Sequence, residues 1–211
     1  MGADRRICMV RREVVLGVFL IVIALACCCG CGNRKSNNGS DAQQEKNAQD
    51  SLVTWESGEF RFDYPAAEFE LTGEQSEENL VSFKLCRRDN AANRIECNVY
   101  RYDPAFVRGI RPDQIAGEIK ADVRDIRERL AGMLKVVETS ELIYPEDWAL
   151  PYEATGFLRV RADDGDELII RVTSAQIAHY NVITIAWGDS PETMRAYADI
   201  LSTFRVIPTE E

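Results

Sequence analysis

Thiols are the side chains of this sequence whose spacing most clearly suggests chemistry. Four of its seven cysteines lie within residues 27–31, directly after the thirteen-residue uncharged run 14–26. A thiol at the exit of an apolar segment is a plausible point for lipid attachment. The same cluster contains a C-x-x-C spacing, but no strand and helix pattern flanks it, which disfavours a redox or zinc site. We therefore expect one of these thiols to carry a lipid.

The residues before the cluster have the pattern of an export signal. Four arginines precede the apolar run, which is shorter than the roughly 20 residues that a membrane-spanning helix needs. With its cysteines, the segment 1–31 resembles a bacterial lipoprotein signal, in which the acylated cysteine becomes the new N-terminus. The resemblance favours Cys27, in Ala-Leu-Ala-Cys, and leaves Cys31, in Cys-Cys-Gly-Cys, as the alternative. An uncleaved anchor or plain secretion is the competing interpretation of the segment.

A polar linker and one folded domain follow the signal. Residues 32–51 are almost entirely polar, and such a stretch cannot bury enough apolar surface to offset its ordering entropy, so we expect a disordered tether. Residues 52–207 have the length of a single domain, and 208–211 form a short tail. The chain has a net charge of −10, which argues against a nucleic-acid partner.

Cys86 and Cys97 are the two cysteines of this domain, and their spacing suggests a disulfide. They flank a ten-residue connection between two strand-like runs, 80–85 and 95–102. An exported protein meets an oxidising compartment, where such a pair closes if the thiols face each other. A slip of one residue in strand register would place them on opposite faces and leave two buried free thiols.

The remaining candidates for catalysis or metal binding are sparse. His179 is the only histidine, and it lacks nearby cysteine or carboxylate partners in the sequence. The acidic stretch 163–167 could attract Ca²⁺, but it lacks the alternating spacing of a calcium loop and is better interpreted as a hairpin turn. Arg108 and Arg111 could bind an anion, although solvated arginines near a helix start are the simpler interpretation. We predict no catalytic residue, no metal site and no cofactor.

An aromatic loop is the best candidate for binding a partner. Residues 145–152 read Pro-Glu-Asp-Trp-Ala-Leu-Pro-Tyr and lie between two predicted strands. Binding residues often lie on loops, and tryptophan and tyrosine are frequent at interface hot spots. Trp148 and Tyr152 are therefore the predicted partner-binding residues.

The elements of the domain indicate an α+β fold. Strands are predicted at 60–65, 80–85, 95–102, 135–144, 153–162, 168–175 and 180–187. Pro112 begins a helix whose apolar residues recur every three or four positions, and Ser190-Pro191-Glu192 begins a second helix. This order predicts a largely antiparallel sheet with packed helices.

The two ends of the domain resemble those of PsbP-like and DcrB-like domains. Residues 60–65, Phe-Arg-Phe-Asp-Tyr-Pro, with Phe69 shortly after, are similar to their first strand, and residues 200–205 are similar to their last helix. The resemblance implies an α/β/α sandwich that serves as an accessory or assembly module and shares no catalytic residues. We therefore expect a lipid-anchored, exported, non-enzymatic binding module on the non-cytoplasmic side of the cell envelope, with an unknown protein partner. The alternative is a ligand-binding or hydrolytic domain with an unrecognised site.

Overall fold

The computed structural model describes residues 52–141, 153–161 and 165–207. Three helices occur in these ranges: α1 (Pro104–Arg108), α2 (Pro112–Met133) and α3 (Pro191–Ser202). The strands are β1 (Leu52–Ser57), β2 (Phe60–Pro65), β3 (Phe69–Glu77), β4 (Leu80–Arg87), β5 (Arg94–Arg101), β6 (Lys135–Thr139), β7 (Glu153–Arg161), β8 (Glu167–Ile177), β9 (Tyr180–Gly188) and β10 (Arg205–Val206). None of the helices in the described ranges has the length and apolar character needed to cross a membrane.

Two antiparallel sheets organise the domain. The larger has seven strands in the order β3-β4-β5-β9-β8-β7-β6, and the smaller has three in the order β1-β2-β10. Every strand pair in both sheets is antiparallel. The prediction of an α+β fold with a largely antiparallel sheet is therefore confirmed.

The larger sheet has two faces, which we call front and back. Because neighbouring residues of a strand point to opposite sides, β4 presents Phe83 and Leu85 to the front and Lys84 and Cys86 to the back. Cross-strand partners share a face, so the pairing registers extend this assignment across the sheet.

The front face packs against the smaller sheet and α3 in an aromatic core. The ring centroids of Trp55 and Phe83 lie 5.0 Å apart, and those of Phe62 and Phe83 lie 4.5 Å apart. At one end of the core, Phe60 meets Tyr180 edge-on at 4.9 Å. Ring pairs at these spacings add stabilisation beyond the area they bury.

Helix α2 packs on the back face, over β7 and β8. Its periodic apolar positions supply the buried residues Ile119, Val123, Ile126 and Leu130, as the sequence predicts. The larger sheet is thus covered by α2 on one face and by α3 and the smaller sheet on the other.

The structure also contains elements that the sequence pattern does not predict. These are β1, β3, β10 and the short α1. Strand β3 is an edge strand whose residues are mostly exposed and polar, so its apolar alternation is weak. The strand predicted at 135–144 ends at Thr139, and part of the predicted remainder lies outside the described residues.

Candidate functional site

An open groove lies on the front face, beside the first turn of α3. It encloses a volume of about 340 Å³. Pocket volumes of small-molecule sites begin at about this size. The lining residues come from β6 and the segment after it, β7, β8 and α3: Glu138, Ser140, Phe157, Leu158, Arg159, Ile169, Pro191 and Met194. Five of these eight residues are apolar, and the two charged ones, Glu138 and Arg159, have largely exposed side chains.

The first turn of α3 forms one wall of the groove. Ser190 caps the helix, because its side-chain oxygen accepts a hydrogen bond from the Thr193 backbone N–H at 3.2 Å. The turn approaches the sheet closely at Gly188. A Cβ atom there would lie 2.8 Å from Met194 Sδ, so a larger residue would force the Met194 side chain to move.

A polar clasp joins this helix start to the β4–β5 hairpin. The Asn93 side chain, only 1% exposed, donates to Asp189 Oδ2 at 2.7 Å and accepts from the Asp189 backbone N–H at 3.1 Å. Thr193 Oγ1 donates to Asp189 Oδ1 at 3.0 Å, and Asn90 adds a longer contact to Asp189 at 3.3 Å. These hydrogen bonds, that from Asn93 above all, lower the pKa of Asp189 below its ordinary value although partial burial opposes them.

The opposite wall is the edge strand β6. Within the described residues, β6 pairs with β7 alone, and a bulge interrupts the pairing at Val137. Val137 is 48% exposed, and Met133 at the end of α2 is 51% exposed. Ser140 fixes the strand end, since its hydroxyl accepts a hydrogen bond from the Phe157 backbone N–H at 3.0 Å. Strand β6 therefore presents one exposed apolar side chain, that of Val137, at this edge of the sheet.

Ion pairs on exposed side chains line the groove and the strands beside it. Arg159 lies 3.3 Å from Glu138, and Arg161 lies 3.0 Å from Glu167. Such exposed pairs contribute little to stability, but they leave this region without a strong net charge. The groove can therefore accommodate apolar groups, and its geometry does not favour an anion or a cation.

The predicted disulfide between Cys86 and Cys97 is wrong, because both cysteines are free and buried. Cys97 is the cross-strand partner of Phe83 and points to the front, whereas Cys86 is the partner of Arg94 and points to the back. Cys86 instead lies 3.4 Å from Thr72 Oγ1, and burial strongly raises the pKa of the Cys97 thiol. The strand register thus separates the two thiols by the thickness of the sheet.

The other candidates that the sequence suggests do not assemble into one site within the described residues. His179 lies in the β8–β9 turn, with its ring 4.0 Å from that of Tyr180. Arg108 is in the last turn of α1, and Arg111 precedes α2 and pairs with Asp113 at 2.7 Å. No group of three potential metal ligands occurs in the parts of the chain that the structure describes.

Several predicted positions fall outside the described residues. They are the lipidation candidates Cys27 and Cys31, the partner-binding candidates Trp148 and Tyr152, and the turn residues Asp163 and Asp164. Their assignments stay predictions.

The groove itself is a feature that the sequence reasoning missed. Its floor residues Phe157 and Ile169 lie in two strands that the sequence predicts correctly. Nothing in a single strand's pattern indicates that α3 leaves this part of the front face uncovered. The signal appears only once the position of α3 on the sheet is known.

Comparison with known proteins reveals distant structural neighbours only. No family model matches the chain, and no curated protein matches it. The solution structure of cyanobacterial PsbP (CyanoP) from Synechocystis is similar with a TM-score of 0.49 and 11% identity, covering 83% of this chain and 99% of that one. A crystal structure from Bacteroides thetaiotaomicron gives a TM-score of 0.40 at 9% identity, covering 72% of this chain and 47% of that one. A Pseudomonas aeruginosa protein of unknown function gives 0.39 at 14% identity, covering 76% and 99%.

Proposed function

We propose that this chain is a lipid-anchored, exported accessory module of the cell envelope that binds a protein partner through the front-face groove. The anchoring rests on the sequence alone: an arginine-rich start, a short apolar run and the cysteines that follow it. The binding role rests on the groove and on the edge strand β6, which contributes Glu138 to its lining.

The composition of the groove is that of a protein interface. Its apolar lining includes Phe157, Ile169 and Met194, and its two charged side chains, Glu138 and Arg159, are 63% and 49% exposed to solvent. Interfaces commonly combine a desolvated apolar centre with a polar, solvent-accessible rim. This arrangement is the observation that carries the proposal.

The occupant that fits best is an extended segment of an envelope protein. Such a segment can pair through its backbone with the edge of β6 that no other described strand occupies, as in other complexes that add a strand to a sheet. Every second side chain of the added strand would then point to the front face, next to the groove. Because the pairs at Arg159 and Arg161 leave little net charge here, apolar side chains are the ones we expect in the groove.

The anchor is tested by the intact mass of the protein extracted from its native membrane. We expect a chain that begins at Cys27 or Cys31 and carries acyl mass. The Cys27→Ser and Cys31→Ser variants identify the modified thiol, since only one of them should abolish the acyl mass. A mature chain that still begins at Met1, or one without lipid, would contradict the anchor.

The binding role is tested by photo-crosslinking in intact cells. A photoreactive amino acid at Val137 should capture a specific partner, while the same group at the exposed Thr54 on β1 serves as the matched control. Ile169→Glu should remove the crosslink, because it places a carboxylate in the apolar groove, and circular dichroism must show that this variant is folded. Equal capture at Val137 and Thr54, or capture unaffected by Ile169→Glu, would refute the groove as the binding site.

A further inference from the structure

Helix α1 is the one helix of the described residues that buries none of its side chains. From residue 103 to residue 118 no side chain is buried, although this stretch contains Phe106, Val107 and Ile110. Phe106 is 39% exposed, and no other aromatic residue in the described ranges is classed as exposed. The core of the domain gains nothing from α1, so its apolar side chains are available for an external contact.

Hydrogen bonds hold α1 in place at one end of the domain. Asp103 caps the helix, because its side chain accepts a hydrogen bond from the Ala105 backbone N–H at 2.7 Å. The Tyr102 backbone N–H donates to the His179 carbonyl oxygen in the β8–β9 turn at 2.9 Å. The ring centroids of Tyr102 and Phe106 lie 6.3 Å apart. The exposed Phe106 ring is therefore presented by a capped helix that is tied to the sheet.

Arginines lie beside these two rings. We call the rings and their neighbouring arginines the α1 patch: Arg101, Tyr102, Phe106, Arg108 and Arg111. Glu59 pairs with Arg101 at 2.8 Å, and Asp113 pairs with Arg111 at 2.7 Å. With Asp103 included, three carboxylates face three arginines, so the patch is close to neutral, whereas the whole chain has a net charge of −10. Salt screens charges beyond roughly 8 Å, so the local balance decides which surfaces the patch can approach.

The position of the patch suits a domain that is tethered to a membrane. Strand β1 begins at Leu52, where the linker predicted at 32–51 joins the domain. The six residues of β1 extend about 20 Å from there to the β1–β2 turn, where Glu59 contacts Arg101. A flexible linker of twenty residues spans about 25 Å on average. It can therefore join a lipid in the bilayer to Leu52 while the α1 patch touches the same bilayer.

We propose that the α1 patch docks on the headgroup region of the phospholipid bilayer that holds the lipid anchor. This inference rests on the anchoring proposed above. Tyr102 and Phe106 lie among the headgroups, where aromatic rings are favoured, and Arg108 extends to a lipid phosphate. The anchor keeps the patch at a high local concentration beside the bilayer, so a contact of a few side chains is sufficient.

Docking in this way directs the partner groove away from the membrane. Ile169 in the groove and Ile177 beside the β8–β9 turn are eight positions apart on β8, about 26 Å along the strand. Helix α2, which leads from the α1 patch to the start of β6, has 22 residues and is about 33 Å long. The groove and β6 therefore face solvent, where a segment of another envelope protein can reach them.

The Phe106→Trp variant of the full chain tests the contact, because it places a fluorescent ring in the patch. It keeps an aromatic residue on a helix without buried side chains, so the fold should be unaffected. Val137→Trp is the matched control, since Val137 is also an exposed apolar residue but lies on β6, beyond the far end of α2. The native chain supplies the background from its own tryptophans.

Each chain is extracted from its membrane and reconstituted into vesicles of phosphatidylcholine and phosphatidylglycerol in equal parts, made with ordinary or with brominated acyl chains. Bromine quenches tryptophan fluorescence only at short range. We expect brominated vesicles to quench Phe106→Trp beyond the native chain and to cause no such additional quenching in Val137→Trp.

The contact with lipid phosphate is tested by removing one charge in the Phe106→Trp background. Arg108→Gln should lower the ratio of docked to undocked domain about five-fold, the effect of one charge near an anionic lipid surface. Arg124→Gln removes the same charge from an exposed position within α2 and should leave this ratio unchanged. An effect of Arg108→Gln no larger than that of Arg124→Gln would refute the phosphate contact.

Flotation of the vesicles separates a failure of the α1 contact from a failure of the anchor. A chain that floats with the vesicles but shows no additional quenching at position 106 would overturn the contact and leave the anchor intact, as expected if the patch binds a protein instead. Equal additional quenching at positions 106 and 137 would also overturn it, because the domain would then have no preferred orientation. A chain that carries no acyl group and does not float would refute the anchor and this inference together.

Discussion

Replacing Asn93 with alanine should destabilise the domain far more than replacing its neighbour Asn90. Asn93 is almost fully buried and makes two hydrogen bonds to Asp189, one to the carboxylate at 2.7 Å and one from the backbone N–H at 3.1 Å. Asn90 is exposed and reaches the same carboxylate at 3.3 Å. The two variants remove the same side chain from the same hairpin, but the Asn93 contacts are partly buried, whereas those of Asn90, including the one from the Ala92 backbone N–H, are exposed.

The loss of unfolding free energy in Asn93→Ala follows from the two hydrogen bonds between Asn93 and Asp189. The bond to the carboxylate contributes about 1 kcal/mol, at the low end of the range for charged partners because Asp189 is largely exposed to solvent. The Asp189 backbone N–H, left without its acceptor, adds about 1–2 kcal/mol. Asn93→Ala should therefore cost about 2–3 kcal/mol of unfolding free energy, and Asn90→Ala less than about 1 kcal/mol.

Urea unfolding at neutral pH is the assay, since it separates stability from changes in the denatured state. We expect a lower midpoint for Asn93→Ala with an unchanged slope. Equal midpoints for Asn93→Ala and Asn90→Ala would refute the role of the clasp. A changed slope would show that the substitution alters the denatured state or the cooperativity of unfolding, and the comparison would then not measure the clasp.

Lowering the pH distinguishes the two hydrogen bonds that Asn93→Ala removes, because only the Asp189 carboxylate titrates. The pKa of Asp189 is lowered in the folded state, with the Asn93 hydrogen bond as the largest cause. The stabilisation from its carboxylate is therefore complete above the ordinary value of 3.8 and is lost as the pH falls through the lower, folded pKa. The penalty of Asn93→Ala should shrink in this acidic range but persist in part, because the backbone N–H does not titrate.

Three further predictions concern other parts of the domain. Tyr180→Phe should lower the free energy of unfolding by about 1–2 kcal/mol at neutral pH, because the Tyr180 hydroxyl donates a hydrogen bond to Glu59. This loss should diminish as the pH falls through the lowered pKa of Glu59, and urea midpoints measured across this pH range test it. Cys86 and Cys97 should both be alkylated in denaturant without reductant, and peptide mass spectrometry that finds either one blocked would contradict their free state. Leu130→Ala should lower the free energy of unfolding by about 2–4 kcal/mol in thermal or urea unfolding, since Leu130 lies on the buried face of α2 and is 2% exposed. A loss below about 1 kcal/mol would mean that this core collapses without a cavity.

Local sequence patterns predict the elements of this fold where apolar periodicity is strong. The helix stripe of α2 and the Ser190-Pro191 start of α3 appear in the structure at the predicted positions. The same rules miss β3, because an edge strand with one face in solvent carries mostly polar residues. They also miss β10, which has only two residues and depends on its pairing with β2.

Register is the information that local patterns do not contain, and it separates the two thiols of the β4–β5 hairpin. The sequence places Cys86 and Cys97 at the facing ends of two strands, which makes a disulfide reasonable. The actual pairing matches Cys86 with Arg94 and Cys97 with Phe83, so the thiols point to opposite faces. A one-residue change of register inverts a strand's faces, and no composition argument determines that step.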